Sequence, residues 1–222
     1  MKLTTPAARA AGSSQSQPVA NVTVFPYSAV GCLFFMQNGK PFSATACVVG
    51  KNVVFTAAHN LWDDGNVSTD IVFQPQYKDG SGLGSWTPDP QHIVIPDEWK
   101  TQRTATFDFA AFRTTAGLPT DKTDILVPHI AKLTAGTSCR AIGYADGKVM
   151  WESIGALDYA MSFLAQMESD LAAGSGGGPW LTELAGGPAF IGCTAQNYPE
   201  FDLIVGPPFG SSVQQVISAA GG

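Results

Sequence analysis

The sequence predicts an all-β protein built as two β-barrels and closed by a short C-terminal helix. Three observations lead there. Gly 24 and Pro 15 punctuate many short runs of Val, Ile, Phe and Thr, the pattern of short strands and tight turns. Between Ala29 and Thr56 three such runs follow one another across turns too tight for parallel crossovers. The stretch 115–125, with Gly117, Pro119, Asp121, Lys122 and Asp124, then reads as a linker between two β-rich halves. The N-terminal barrel is placed at 21–118 and the C-terminal barrel at 119–222.

Residues 1–20 are rich in Ala, Ser and Gln and read as a flexible arm without the apolar stretch of a secretory signal. The run Ala29–Met36 is apolar throughout and predicts a strand buried on both faces. Ser43–Val49 and Val53–Thr56 follow as strands, then Asp70–Tyr77, a short strand at His92–Pro96, and Phe107–Arg113. In the second half, strands are expected at Ser138–Tyr144, Lys148–Glu152, Trp180–Thr182 and Ala189–Ala195. Ser211 or Ser212 can cap a helix that carries Val213, Val216 and Ile217 on one face.

Hydrophobic residues make up 45% and charged residues only 14%, a composition that buries a core. A formal net charge of −6 argues against nucleic acid or anionic lipid as partner. No segment approaches the roughly 18 to 20 uninterrupted apolar residues that span a bilayer. Cys32, Cys47, Cys139 and Cys193 include no Cys-x-x-Cys pair and have no His at ligand spacing, so no zinc site is expected. Cys32 and Cys47 flank the turn candidate Asn38–Pro41 symmetrically; a cross-strand disulfide and two buried thiols are both open readings.

Three stretches carry chemistry. His59 ends Phe55–Thr56–Ala57–Ala58–His59, a strand followed by small residues that would leave an imidazole free. His92 and His129 lie in apolar or proline-flanked surroundings that fit structural roles. Asp108 sits between Phe107 and Phe109, where a carboxylate is costly unless hydrogen-bonded or paired. Such a group can orient an imidazole and stabilise its cation. The third stretch is the loop Gly174–Ser175–Gly176–Gly177–Gly178–Pro179.

Together these stretches resemble the histidine, aspartate and nucleophile motifs of chymotrypsin/trypsin-like serine proteases. Val30–Phe35, Val72–Gly80, Gly84–Trp86 and Asp170–Trp180 are similar to segments of the secreted microbial, glutamyl-endopeptidase-like branch. The resemblance implies two six-stranded antiparallel barrels, a triad at the cleft between them, a peptide or protein partner, no cofactor and a secreted location. It implies an oxyanion hole from the backbone at Gly174 and Gly176, and a specificity pocket at Asp170, Thr194, Ala195 and Gln196.

Departures decide the functional expectation. Asn60 follows the histidine where many relatives carry cysteine. Gly192–Gln196 lacks the histidine that recognises glutamate in that branch. Above all, Gly176 stands where the nucleophilic serine is expected, and Ser175 lies one residue early. The main expectation is a protease-fold protein without peptidase activity, acting as a binding or structural module and compatible with a larger assembly. The alternative is a serine endopeptidase, with Ser175 as nucleophile or with its serine replaced at 176.

Overall fold

The structure, a computed structural model, describes residues 16–161 and 163–221. In chain order the strands are β1 (Gln17–Pro18), β2 (Val30–Gln37), β3 (Lys40–Gly50), β4 (Val53–Thr56), β5 (Trp62–Asp63), β6 (Asn66–Val67), β7 (Thr69–Pro75), β8 (Pro88–Val94) and β9 (Ala110–Thr114), with helix α1 (Asp97–Gln102) before β9. The second half contains β10 (Ser138–Gly143), β11 (Trp151–Ala160), β12 (Ala165–Glu168), β13 (Pro179–Leu184), β14 (Gly187–Cys193), β15 (Gln196–Tyr198) and β16 (Leu203–Gly206), then helix α2 (Ser211–Ala219).

The first sheet curls in the order β7-β2-β3-β4-β9-β8. The second runs β14-β13-β10-β11-β12-β16-β15, with β1 added to β11. Every ladder pair is antiparallel.

The unbroken apolar runs are explained by two cores sharing one sheet. Leu33 and Phe35 of β2, Ala44, Ala46 and Val48 of β3, Val54 of β4 and Phe112 of β9 pack inside the first barrel. Their alternate neighbours Val30, Cys32, Cys47, Val49, Phe55 and Ala111 face the opposite way. There they meet Ile142, Tyr144, Phe190 and Phe209 of the second half and Val213, Val216 and Ile217 of α2. Successive side chains on a strand point to opposite faces, so a strand between two cores has no polar face to show. Cys139, Ala141, Met167, Trp180, Ile191 and Ile204 fill the second barrel.

Several expectations need correction. Of the two readings left open for Cys32 and Cys47, the structure has the two buried free thiols and not the disulfide. Asn38 (φ 50) and Gly39 (φ 73) make a two-residue hairpin turn, closed by the pair Gln37↔Lys40. That turn is centred one residue earlier than the four-residue turn the sequence offered. The register therefore sets Cys32 opposite Thr45 and Cys47 opposite Val30. The expected strand at Lys148–Glu152 begins only at Trp151, because Asp146 Oδ1 accepts the N–H groups of Lys148 (2.9 Å) and Val149 (3.1 Å) and folds that stretch into a turn.

Phe107 and Asp108 precede β9 instead of opening it: Phe107 ends a 3₁₀ turn. The strand around His92 starts earlier, at Pro88, and stops at Val94. Of the N-terminal arm, residues 1–15 lie outside the described residues. Residues 17 and 18 are a strand, held by Gln17 Nε2 donating to Glu152 Oε1 at 3.0 Å, and Val19 is buried.

Candidate active site

The pairing of β4 with β9 brings the first two groups together. Thr56 stands opposite Ala110, so the end of one strand adjoins the start of the other. From β4 the chain passes through extended Ala57 into a single 3₁₀ turn, Ala58–Asn60. Ala57 and Ala58 are fully buried and pin that turn to the core, whereas the His59 side chain keeps 38% of its surface exposed. Asp108 is only 1% exposed. Its Oδ1 accepts the His59 backbone N–H at 2.9 Å, and its Oδ2 lies 2.7 Å from His59 Nδ1.

An ionised carboxylate can only accept, so Nδ1 carries a proton and Nε2 is the edge turned away from Asp108. These two bonds offset the desolvation of a buried carboxylate. Cys193 lies behind the pair, its Sγ 3.8 Å from the Asp108 carbonyl oxygen.

Burial pulls the imidazole pKa down, but the charge and hydrogen bond of Asp108, helped by Asp63, outweigh it and hold His59 above its ordinary 6.5. Solvent at the open ring face softens the burial effect. A raised folded-state pKa means that the imidazolium–carboxylate pair stabilises the fold fully below about pH 6.5, the unfolded value, and that this contribution fades as pH rises through the folded value. Thermal melts of the intact chain and of His59→Gln, compared from about pH 5 to about pH 9, should therefore converge as pH increases. A gap that stays constant or widens would contradict the assignment.

The glycine loop packs backbone to backbone against the first barrel. Gly177 has φ +83, and a Cβ there would lie 2.2 Å from Thr56 Oγ1 and 2.4 Å from the Thr45 carbonyl oxygen. Gly174 has φ +98, with the Tyr144 carbonyl oxygen 2.4 Å from where a Cβ would be. Only glycine meets both demands.

The loop is clamped from behind. Gly176 O accepts Thr45 N–H (3.0 Å) and Asn60 Nδ2–H (3.1 Å), and Gly174 O accepts the Thr45 hydroxyl (2.8 Å). Thr45 Oγ1 in turn accepts Tyr144 N–H at 2.8 Å. Within the loop, Ser175 N–H donates to Ala172 O, Gly177 N–H to Thr194 O and Gly178 N–H to Ser175 O. The N–H groups of Gly174 and Gly176 donate to no acceptor among the described residues.

Gly176 and Ser175 occupy different environments. An ideal Cβ on Gly176 would lie 2.7 Å from His59 Nε2 and 2.8 Å from His59 Cε1, closer than side-chain carbons approach in folded proteins. The imidazole thus fills the place a side chain at 176 would take. Ser175 is 1% exposed, and its hydroxyl donates to Ala172 O at 2.8 Å. Its Cβ lies against Gly143, 2.7 Å from where a Cβ on that glycine would be.

No family model matches the sequence, and no curated protein matches it. Solved structures do. A Glu endopeptidase aligns with a TM-score of 0.80 at 20% identity, over 94% of this chain and 97% of that one. A protease from Arthrobacter nicotinovorans gives 0.79 at 21%, over 93% and 100%. The chain has the chymotrypsin-like fold. A scabies mite inactivated protease paralogue shares it with a TM-score of 0.69 at 16% identity, over 86% of this chain and 95% of that one.

On this chymotrypsin-like scaffold the residues expected to shape a specificity pocket are engaged by the chain itself. Asp170 is exposed, and its Oδ1 accepts the Ser16 N–H at 2.7 Å, so it does not stand free at a pocket floor. Thr194 is buried and its Oγ1 accepts Trp180 Nε1–H at 2.9 Å. Ala195 is buried; Gln196 is exposed and accepts from the Tyr198 hydroxyl at 2.7 Å. Cavities of about 300 Å³ beside Tyr27 and Arg140, and about 250 Å³ beside Phe107 and Val216, lie apart from the four.

Two contributors to this site, Thr45 and Trp99, are not singled out by the sequence, and Asn60 is noted there only as a departure from cysteine. Thr45 and Asn60 clamp the glycine loop, and neither belongs to a motif. Trp99 on α1 is 5% exposed, with its ring centroid 6.5 Å from that of His59. Arg103 lies over the Trp99 ring at 5.8 Å and pairs with Asp63 and Asp64, each at 3.2 Å. The signal for α1 is Pro96 followed by two acidic residues, Asp97 and Glu98, in the first turn.

Proposed function

We propose that this chain is a protease-fold module that binds a peptide or protein segment at the seam between its two barrels without cleaving it. The observation that carries the reading is Gly176. The residue facing His59 has no side chain, and the imidazole edge stands 2.7 Å from where one would begin. Loss of the nucleophile in such triads costs on the order of 10⁶ in turnover. Ser175 is poorly placed to replace it, since its hydroxyl is buried and donates to Ala172 O. Oxyanion-type donors at Gly174 and Gly176 enter this reading as binding features. An extracellular setting is inferred from the resemblance to secreted microbial peptidases alone.

The test is direct. The intact chain should hydrolyse neither casein nor a peptide library, and a fluorophosphonate probe should leave Ser175 unmodified. Hydrolysis that disappears in His59→Ala would sink the module reading.

One observation favours a second reading, an endopeptidase whose serine has been replaced. His59 and Asp108 keep two hydrogen bonds, at 2.7 and 2.9 Å, and the two glycine N–H groups are without an acceptor among the described residues. A serine returned to position 176 separates the two readings.

A further inference from the structure

Building on the reading of the seam as a peptide-binding module, we propose that the group it recognises is a peptide carboxylate, specifically the free C-terminus, cradled by the Gly174 and Gly176 N–H groups and the Nε2 edge of His59. Both N–H groups have no acceptor among the described residues, and the loop bearing them is fixed by Thr45 and Asn60, so binding needs little reorganisation. His59 Nδ1 is committed to Asp108, which leaves Nε2 as the edge beside Gly176. Asp108 favours the protonated ring, and a carboxylate bound at this edge would favour it further, which makes the edge a third donor in the complex.

Three donors and no nucleophile make a site that wants an acceptor with charge. An internal peptide carbonyl brings one neutral oxygen, and its amide N–H would meet the Nε2 proton. A carboxylate brings two anionic oxygens, one for the paired backbone N–H groups and one for His59, and such charge-assisted bonds are roughly twice as strong as neutral ones. Asp and Glu side chains share this chemistry. The chain terminus is preferred because its carboxylate occupies the position of a backbone carbonyl in a peptide lying along the seam.

The experiment is an array of random-sequence peptides tethered by their N-termini. Each is made as a free acid and as a C-terminal amide, and all are probed with the full chain. Free acids should retain about tenfold more protein than the matching amides, equivalent to about 1.4 kcal/mol. His59→Ala should bring the two forms to within about twofold, while His59→Gln, which keeps a donor, should retain part of the preference. Thermal melts confirm that both variants are folded.

Equal retention of acids and amides by the intact chain overturns the proposal and leaves the module reading standing. Amide binding that follows internal Asp or Glu assigns the cradle to side-chain carboxylates and overturns the terminal one. A preference that survives intact in His59→Ala removes the histidine from the cradle. An array that retains nothing in either form overturns the module reading itself.

Discussion

Gly176→Ser should fold like the parent yet react with a fluorophosphonate at position 176 at least about 10²-fold more slowly than the structurally similar Glu endopeptidase. The added Cβ would begin 2.7 Å from His59 Nε2, where ordinary van der Waals contact starts near 3.4 Å. Relief needs the ring to retreat by several tenths of an ångström, or the loop to lift. Retreat strains the 2.7 Å bond to Asp108, and lifting breaks the clamps from Thr45 and Asn60 at Gly176 O. Transition-state geometry tolerates about half an ångström of error, so either route leaves a serviceable but misaligned triad. Labelling as fast as that of the endopeptidase would show that the imidazole yields freely, and the erased-enzyme reading would then stand. No labelling at all would mean that the site has degenerated beyond one missing oxygen.

The second large effect concerns the seam beneath that site. Phe55→Ala should lower the unfolding free energy by about 3 to 5 kcal/mol, as deletion of a fully buried phenylalanine does. Phe55 is fully buried on β4 and meets Phe190 and Phe209 edge-on, at 5.5 and 5.4 Å between ring centroids. Those two rings themselves sit 4.4 Å apart. Aromatic pairs of this kind are worth about 0.5 to 1.5 kcal/mol beyond their buried area. Phe55 belongs to the first barrel and its partners to the second half, so the cavity opens where the halves join. Urea denaturation should show the loss, with exposed Phe201→Ala within about 0.5 kcal/mol of the parent as control. A loss below about 1.5 kcal/mol would mean that the two halves do not depend on this contact.

The β-rich architecture and the principal groups of the site can be read from residues because their signals are local. Phe55–His59 announces a strand end, and an aspartate between two phenylalanines demands a partner that the β4–β9 pairing supplies. The glycine loop announces close backbone packing before its neighbours are known.

Signals that depend on counting across a turn are weaker. The choice between a Cys32–Cys47 disulfide and two buried thiols turns on one residue in the centre of a hairpin, which displaces every cross-strand partner by two. The strands β12 and β16, four residues each, are too short for alternation to register. The clamping roles of Thr45 and Asn60 are invisible in the sequence for another reason. Each is an ordinary strand or turn residue until the second barrel folds against it, and the value of its hydrogen bond exists only across that interface.

The four thiols give the molecule a property unconnected with peptides. Cys32 and Cys139 are pushed by burial up to about 12, and Cys47 and Cys193 are also held well above the usual thiol range. A thiolate is the reactive species, so in the folded chain none of the four offers one at neutral pH. Their distribution over β2, β3, β10 and β14 puts two in each half. Alkylation by a thiol reagent is therefore a clock for transient opening of either half, read by mass spectrometry without any label being introduced.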